Sequence, residues 1–384
     1  MYKIYGYLRK DGSYGFRNHI LIIPTSICAV HVAMQINSVL PNTIVLNHPY
    51  GCTQIGTDVE QTRRVLTGFA LNSNVAAVLI IDLGCDTISA DSVADSIKNK
   101  PVATLTIQKC GGTINTINKG ISIINDYYEK FSNQEKIETD LSRVIVGLEC
   151  GGSDATSGLA ANPAVGFAVD LLIKEGCTAI LSETTELIGA EHLIAKRGIN
   201  KQVKRDILKI VHKMENKAIK MKCNIRGAQP SPGNMKGGIT TIEEKSLGCI
   251  HKAGKSSVME VIPYGNSPTR KGLVIMDTPG HDMESVTGML AGGAQIILFT
   301  TGRGTPTGSP ISPVIKVTGN PYTFTTMSCN IDINAGEIFL GEKKVEEIGK
   351  LIFEETIKIL NGKLTKSEIL GHREMAINRI GPTL

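Results

Sequence analysis

The sequence predicts an α/β protein: two mainly parallel-sheet α/β domains with ligand-type side chains at the carboxyl ends of the strands. Three observations carry this. Short β-branched apolar runs alternate with segments of helical periodicity. The run Val75–Leu83 is apolar almost throughout, as in a strand buried on both faces. The glycines cluster in short loops such as Gly111-Gly112, Gly151-Gly152, Gly237-Gly238 and Gly292-Gly293, where turns or close backbone approach are needed.

The elements follow in order. His19–Pro24 is the first strand, Ala29–Leu40 a helix and Thr43–Leu46 a second strand. Asp58–Leu71 reads as a helix with Asp58 as its N-cap. After Val75–Leu83 come a polar helix at Ala90–Lys98, the strand Val102–Ile107 and a helix from Asn115 to Phe131. Ser132–Asp140 is polar and aperiodic, which places a boundary between an N-terminal domain, residues 1–135, and a C-terminal domain, residues 141–384. The pattern then restarts with the strand Arg143–Leu148. Asn162 is expected to cap a helix with Pro163 at its first position, ending before Gly176. Thr178–Leu181, Gly272–Met276 and Gln295–Phe299 read as strands, Met283–Ala291 and Glu346–Asn361 as helices. Residues 224–270, rich in Gly, Pro, Ser and Lys, read as irregular and hence functional.

Composition excludes several classes of function. Tryptophan is absent and aromatics are 4%, which leaves no stacking platform for single-stranded nucleic acid. The net charge of +5 is slight for 384 residues, and the basic run from Lys201 to Lys222 has the spacing of one solvated helix face. No segment reaches the roughly 18 apolar residues of a membrane span. Nine scattered cysteines and a polar opening segment predict reduced thiols in the cytoplasm.

Those thiols are not placed at random. Cys28, Cys52, Cys85, Cys110 and Cys150 each follow an expected strand, at the edge where open parallel sheets bind ligands. Other polar groups fall on the same kind of edge: His48, Asp82, Asp86, Asp154, Glu183, Glu186, Glu191, His192, Asp277, His281 and Asp282. Mixed thiol, imidazole and carboxylate sets suit iron or zinc better than magnesium. The loop Gly302-Arg-Gly-Thr-Pro-Thr-Gly308 offers backbone N–H groups and Arg303 to an anion, and Arg17 in Gly15-Phe-Arg-Asn18 is a second anion contact. Lys236 and Lys245 are cations in the irregular stretch, as anion contacts or as a base.

Long motifs then carry a resemblance. They are Gly6-Tyr-Leu-Arg-Lys-Asp-Gly12 with Gly15-Phe-Arg-Asn18, and the run Cys150-Gly-Gly-Ser-Asp-Ala-Thr-Ser-Gly-Leu-Ala-Ala-Asn-Pro163. Ser182-Glu-Thr-Thr-Glu-Leu-Ile-Gly-Ala-Glu191, Ser231-Pro-Gly-Asn234, Glu243-Glu-Lys-Ser246, Phe299-Thr-Thr-Gly-Arg-Gly-Thr-Pro306, Asp332-Ile-Asn-Ala-Gly336 and Arg379-Ile-Gly-Pro-Thr-Leu384 complete the set. The chain thus resembles the altronate dehydratase and galactarate dehydratase family, which also contains the large subunit of sulfolactate sulfo-lyase. The resemblance implies a metal-dependent lyase, typically using Fe2+ or another divalent ion such as Mn2+, acting on a sugar acid. It also implies a catalytic role for the C-terminal domain. Many members carry a small antifreeze-like domain ahead of the matched region. Here the first motif opens at Gly6, so that domain is expected on a separate small subunit, in a protein that is also a homo-oligomer.

On that footing the expected metal ligands are Cys150, Glu183 and His192, with Cys52, His48 and Cys85 from the first half. An iron–sulfur cluster on Cys52, Cys85 and Cys150 is the alternative. The expected catalytic groups are Lys245, His281, Arg303 and Glu186, with Lys245 or His281 as base. Arg17, Ser153, Asp154, Arg303 and Lys236 are the expected substrate contacts. Competing readings are release of sulfite from sulfolactate and a non-catalytic anion-binding partner subunit.

Overall fold

The computed structural model describes residues 2–228 and 230–383. Two all-parallel sheets organise the chain. The smaller has the order Ile44–Val45, His19–Pro24, Val75–Asp82, Val102–Thr106. The larger has seven strands in the order Val258–Ile262, Gly272–Met276, Thr178–Leu181, Ile145–Cys150, Ile296–Thr301, Val314–Thr318, Ile333–Asn334. The chain runs first to one side of Ile145–Cys150 and later to the other. That makes the carboxyl end of this strand the topological switch point, where open α/β sheets leave a crevice for ligands. A small antiparallel sheet joins Ile4–Leu8 to Tyr14–Gly15 and Ile137–Thr139.

The two sheets share a core. One hydrophobic cluster joins Leu21, Val65 and Phe69 to Val274, Met289 and Phe299. The helices Gly56–Leu71 and Asp282–Ala291 pack so closely that a Cβ on Gly68 would lie 2.4 Å from the Ala291 carbonyl oxygen. Asn72 Nδ2 donates to the carbonyls of Leu290 and Ala294, and Asn74 Nδ2 to those of Gln295 and Ile311. These amides satisfy four backbone carbonyls at the junction.

Three local expectations are overturned. Asp58 is not a helix cap: the helix begins at Gly56, and the Asp58 carboxylate accepts from Gln54, Arg379 and the Ile380 backbone N–H. Asn162 is not a cap either, because a π-helical segment, Ser157–Ala161, already runs into its helix. Its side chain instead bonds Thr300 and the Gly248 carbonyl. Residues 224–270 are not irregular. They contain the helices Ile225–Ala228, Pro232–Lys236 and Ile242–Ile250, the turn His251–Ala253 and the edge strand Val258–Ile262. Their apolar positions are too few per element to show a period until the rest of the fold covers them.

Candidate active site

The site grows from the end of the central strand. Side chains alternate along a strand, so Glu149 and Cys150 enter opposite faces of the sheet, and both are buried. Gly151 follows. A Cβ there would lie 1.9 Å from Asp282 Oδ2 and 2.9 Å from the Phe299 ring, so any larger residue would have to push these side chains aside. The neighbouring strand Thr178–Leu181 leads to Glu183, whose φ of 64° and ψ of 67° are left-handed for a residue with a side chain. Such a conformation costs about 1–3 kcal/mol and persists only where surrounding bonds impose it. Here the Glu183 N–H donates to Thr278 Oγ1 at 2.6 Å, and Glu183 Oε2 accepts from the Cys150 N–H at 2.9 Å.

The third contribution comes from the helix Ile242–Ile250, capped by Thr241 accepting from the Glu244 N–H. Lys245 and Cys249 are four residues apart and so share a face. The next turn adds Lys252. Its Nζ is 2.6 Å from Glu183 Oε2, 3.3 Å from Glu186 Oε2 and 3.0 Å from Cys150 Sγ. Cys150 Sγ donates to Glu186 Oε2 at 2.7 Å and lies 3.6 Å from Cys249 Sγ. Lys245 pairs with Glu186 Oε1 at 3.1 Å.

Beside this cluster stand three carboxylates, Glu149, Glu183 and Asp282, with oxygens within 4.8 Å of one another. Glu149 Oε2 accepts from Ser182 and Ser285, at 3.0 and 2.6 Å. Oε1 of Glu149 and Oε1 of Glu183 are buried with no hydrogen-bond partner.

The electrostatics separate these groups. Burial and the nearby Glu183 charge push the Glu149 carboxyl well up. Burial and Glu186 raise Glu183. Burial would raise Glu186 too, but Lys245 and Lys252 overcome it and hold it ionised. Burial disfavours the Lys245 ammonium, yet Glu186 and the two thiols raise its proton affinity. Lys252 behaves likewise through Cys150, Glu183 and Glu186. Contact with Cys249, then burial, holds the Cys150 thiol protonated. Groups driven in opposite directions within one site suit acid–base chemistry.

A cavity of about 380 Å³ opens on this cluster, walled by Cys150, Ser153, Glu186, Lys245, Asp282 and Arg303. A larger cleft of about 720 Å³, lined by Arg63, Arg64 and Arg143, lies at the opposite, amino ends of the strands. The thiols, carboxylates and lysines converge on the former.

Residues 6–132 match the second domain of D-galactarate dehydratase/altronate hydrolase, and residues 141–383 match the C-terminal domain of D-galactarate/altronate dehydratase. The chain belongs to this dehydratase family. The beta subunit of (2R)-sulfolactate sulfo-lyase from Chromohalobacter salexigens is 37% identical over 98% of this chain and 97% of its own length. Altronate dehydratase from Bacillus subtilis is 33% identical over 99% of this chain and 78% of its own length. Galactarate dehydratase (L-threo-forming) from Escherichia coli is 34% identical over 99% of this chain and 77% of its own length.

In this dehydratase-family chain, Cys150, Glu183, Glu186 and Lys245 converge, and Ser153 and Arg303 reach the cavity wall. Arg303 also donates to the Gly233 carbonyl at 2.7 Å. Asp154 lies behind the wall, where it accepts from Thr156, Ser157 and Asn320 and braces the loop.

The other expected residues lie elsewhere. Arg17 is held by Glu368 and the carbonyls of Phe16, Ile359 and Lys363. Both ring nitrogens of His48 are engaged, Nε2 with the Pro24 carbonyl and Nδ1 with the Tyr50 N–H. Cys52 and Cys85 follow strands of the four-stranded sheet, and Cys85 is exposed. Their sulfurs do not join Cys150; among the described residues its thiol partner is Cys249. That removes the basis for an iron–sulfur cluster on Cys52, Cys85 and Cys150. His192 is exposed on the short helix Glu191–Lys196, Lys236 is exposed, and His281 is exposed one residue before Asp282.

Glu149, Cys249 and Lys252 are the members that sequence reasoning missed. Glu149 carried one legible signal, an acid inside an otherwise apolar strand. Lys245, Cys249 and Lys252 carried another, a spacing of four and then three residues that follows a single helix face.

Proposed function

We propose that this chain is a metal-dependent lyase that removes water from a sugar acid such as altronate or galactarate, leaving a 2-keto-3-deoxy acid. The observation that carries this reading is the cavity at the switch point, where proton-holding groups and cationic contacts face carboxylates kept apart in ionisation. Removing the proton α to a carboxylate builds negative charge on that carboxylate, and the departing hydroxide needs a proton. Lys245 and Arg303 are the carboxylate contacts. The Cys150 thiol and the Lys245 ammonium hold protons beside the cavity for the leaving oxygen. Glu186 keeps Lys245 and Lys252 charged and orients Cys150. With Lys245 held as an ammonium, His281 is the base of choice, at the rim beside the cavity residues Gly280 and Asp282.

The residues present fit a divalent cation. Two buried carboxylate oxygens without partners, on Glu149 and Glu183, are open donor atoms for such an ion. Two groups of ligand-type side chains would receive it, Cys150 with Glu186 and Cys249, or Glu149 with Glu183 and Asp282. Such an ion supplies Lewis-acid stabilisation of the charge that develops on the substrate.

A second reading is sulfite release from sulfolactate. It is favoured by the match to a sulfo-lyase beta subunit at 37% identity, against 33% for an altronate dehydratase. That relative's description as a beta subunit supports a separate small subunit as partner here. Among the described residues no helix is long and apolar enough to cross a membrane, in keeping with action in the cytoplasm.

The test is an anaerobic assay of the metal-loaded chain, with and without a candidate small subunit, on hexonates, hexarates and sulfolactate. Release of a 2-keto-3-deoxy acid supports the dehydratase, release of sulfite the second reading. Neither product from any of these acids sinks both.

A further inference from the structure

Resting on the metal-dependent reading above, we infer that the cation is held by oxygen alone, at Glu149, Glu183 and Asp282, and that the Cys150–Cys249 thiol pair beside it is metal-free. The trio is built for a ligand. Glu149 and Glu183 are fully buried, and each keeps one oxygen without a partner. Their other oxygens are already committed: Glu149 Oε2 to Ser182 and Ser285, Glu183 Oε2 to Lys252 and the Cys150 N–H. A hydroxyl chain sets both glutamates, since Thr278 Oγ1 meets Ser285 Oγ at 3.1 Å and also accepts from the Glu183 N–H. Partners behind a ligand that fix its orientation are what metal sites use. The left-handed backbone of Glu183 is the conformational cost of that aim. Asp282, the third ligand, stands in the cavity wall, so a bound ion would face substrate.

The thiol group is occupied in a different way. Lys252 Nζ is within hydrogen-bond reach of both Cys150 Sγ and Glu186 Oε2, and Lys245 covers the other Glu186 oxygen. Two ammonium groups therefore sit where a divalent ion would have to bind, and like charge at that range is repulsive. The oxygen trio meets a single lysine, through the already committed Glu183 Oε2, whereas the thiol group faces two. All-carboxylate donors select hard ions such as Mn2+, Mg2+ or Fe2+ over thiolate-seeking Zn2+.

The test uses the full chain in two measurements that need no turnover. Co2+ titration is expected to give no thiolate-to-cobalt charge-transfer band in the near ultraviolet. Mn2+ binding, followed by electron paramagnetic resonance, is expected to weaken at least about tenfold in Glu149→Gln and in Asp282→Asn. Cys249→Ser should bind Mn2+ within about threefold of the parent, each variant being checked for folding by thermal melting. A charge-transfer band, or Mn2+ lost in Cys249→Ser and kept in Glu149→Gln, overturns the oxygen site and leaves the lyase reading intact. No binding of either ion to the parent chain, alone or with the small subunit, overturns both.

Discussion

Lys252 Nζ lies 2.6 Å from Glu183 Oε2, and each side chain is only 1% exposed. The same ammonium reaches Glu186 and Cys150, so one buried cation holds together three groups from two other segments of the chain. Replacing it by Lys252→Met would leave Glu183 and Glu186 short of countercharge in the interior. A stability loss of about 3–5 kcal/mol is expected, read by urea unfolding. A loss below about 1 kcal/mol would mean that the pair is not a structural centre.

Gly151→Ala would place a Cβ on Asp282 Oδ2. Asp282 must move, so kcat/KM should fall at least about tenfold, because small displacements at a reacting centre cost rate steeply. Steady-state kinetics beside a thermal melt separates this from general unfolding. Unchanged kinetics would show that Asp282 is not needed where it stands.

Cys150→Ala removes a proton-holding group from the cavity wall. A kcat loss of about 10²–10⁴ is expected in a folded protein, the usual worth of one acid–base group. Activity close to that of the parent would remove Cys150 from the chemistry.

Arg17→Ala addresses the anion contact expected from sequence. The Arg17–Glu368 pair, 2.7 Å apart with side chains 9% and 19% exposed, ties the N-terminal segment to the C-terminal one. Stability should fall by about 3–5 kcal/mol, since Glu368 is left part-buried and unpaired. KM should stay within about twofold of the parent. A large rise in KM at unchanged stability would return Arg17 to the substrate.

His48 sets a pH dependence of stability. Burial lowers its proton affinity to about 4, against an ordinary value of 6.5, while the Pro24 carbonyl opposes that weakly. Above pH 6.5 the ring is neutral in both folded and unfolded chains and contributes nothing. Between about 6.5 and 4 the unfolded chain binds the proton first, so stability falls as pH falls, by up to about 3 kcal/mol. Urea unfolding at pH 7 and pH 4.5 should show that slope reduced in His48→Gln. An identical slope in the variant would exclude His48 as its source.

Much of the fold was legible because each strand carries its own signal. His19–Pro24 and Gly272–Met276 are apolar runs whose bounds match the structure, and Val75–Leu83 overshoots by one residue. The helix Ile242–Ile250 was not legible. Its apolar face has only a few residues, and Thr241 caps it among glycines and lysines that mimic a loop. Losing that helix meant losing Cys249 and Lys252. The same limit explains the ligands expected from the first half. Cys52, Cys85 and Cys150 all follow strands, but a strand end says nothing about which sheet it belongs to.

The sequence by itself determined the alternation of strands and helices and the placement of Cys150, Glu183 and Glu186 at strand ends. Those features depend on periodicity and on neighbours a few residues away. Only the tertiary structure decided that Lys252, 102 residues from Cys150 in the chain, lies within 3.0 Å of its sulfur, and that His48 and Arg17 are engaged elsewhere. It also decided that two glutamates would be buried with bare oxygens side by side. Strand order and the packing of distant helices set such meetings, and neither is written in any local stretch of residues.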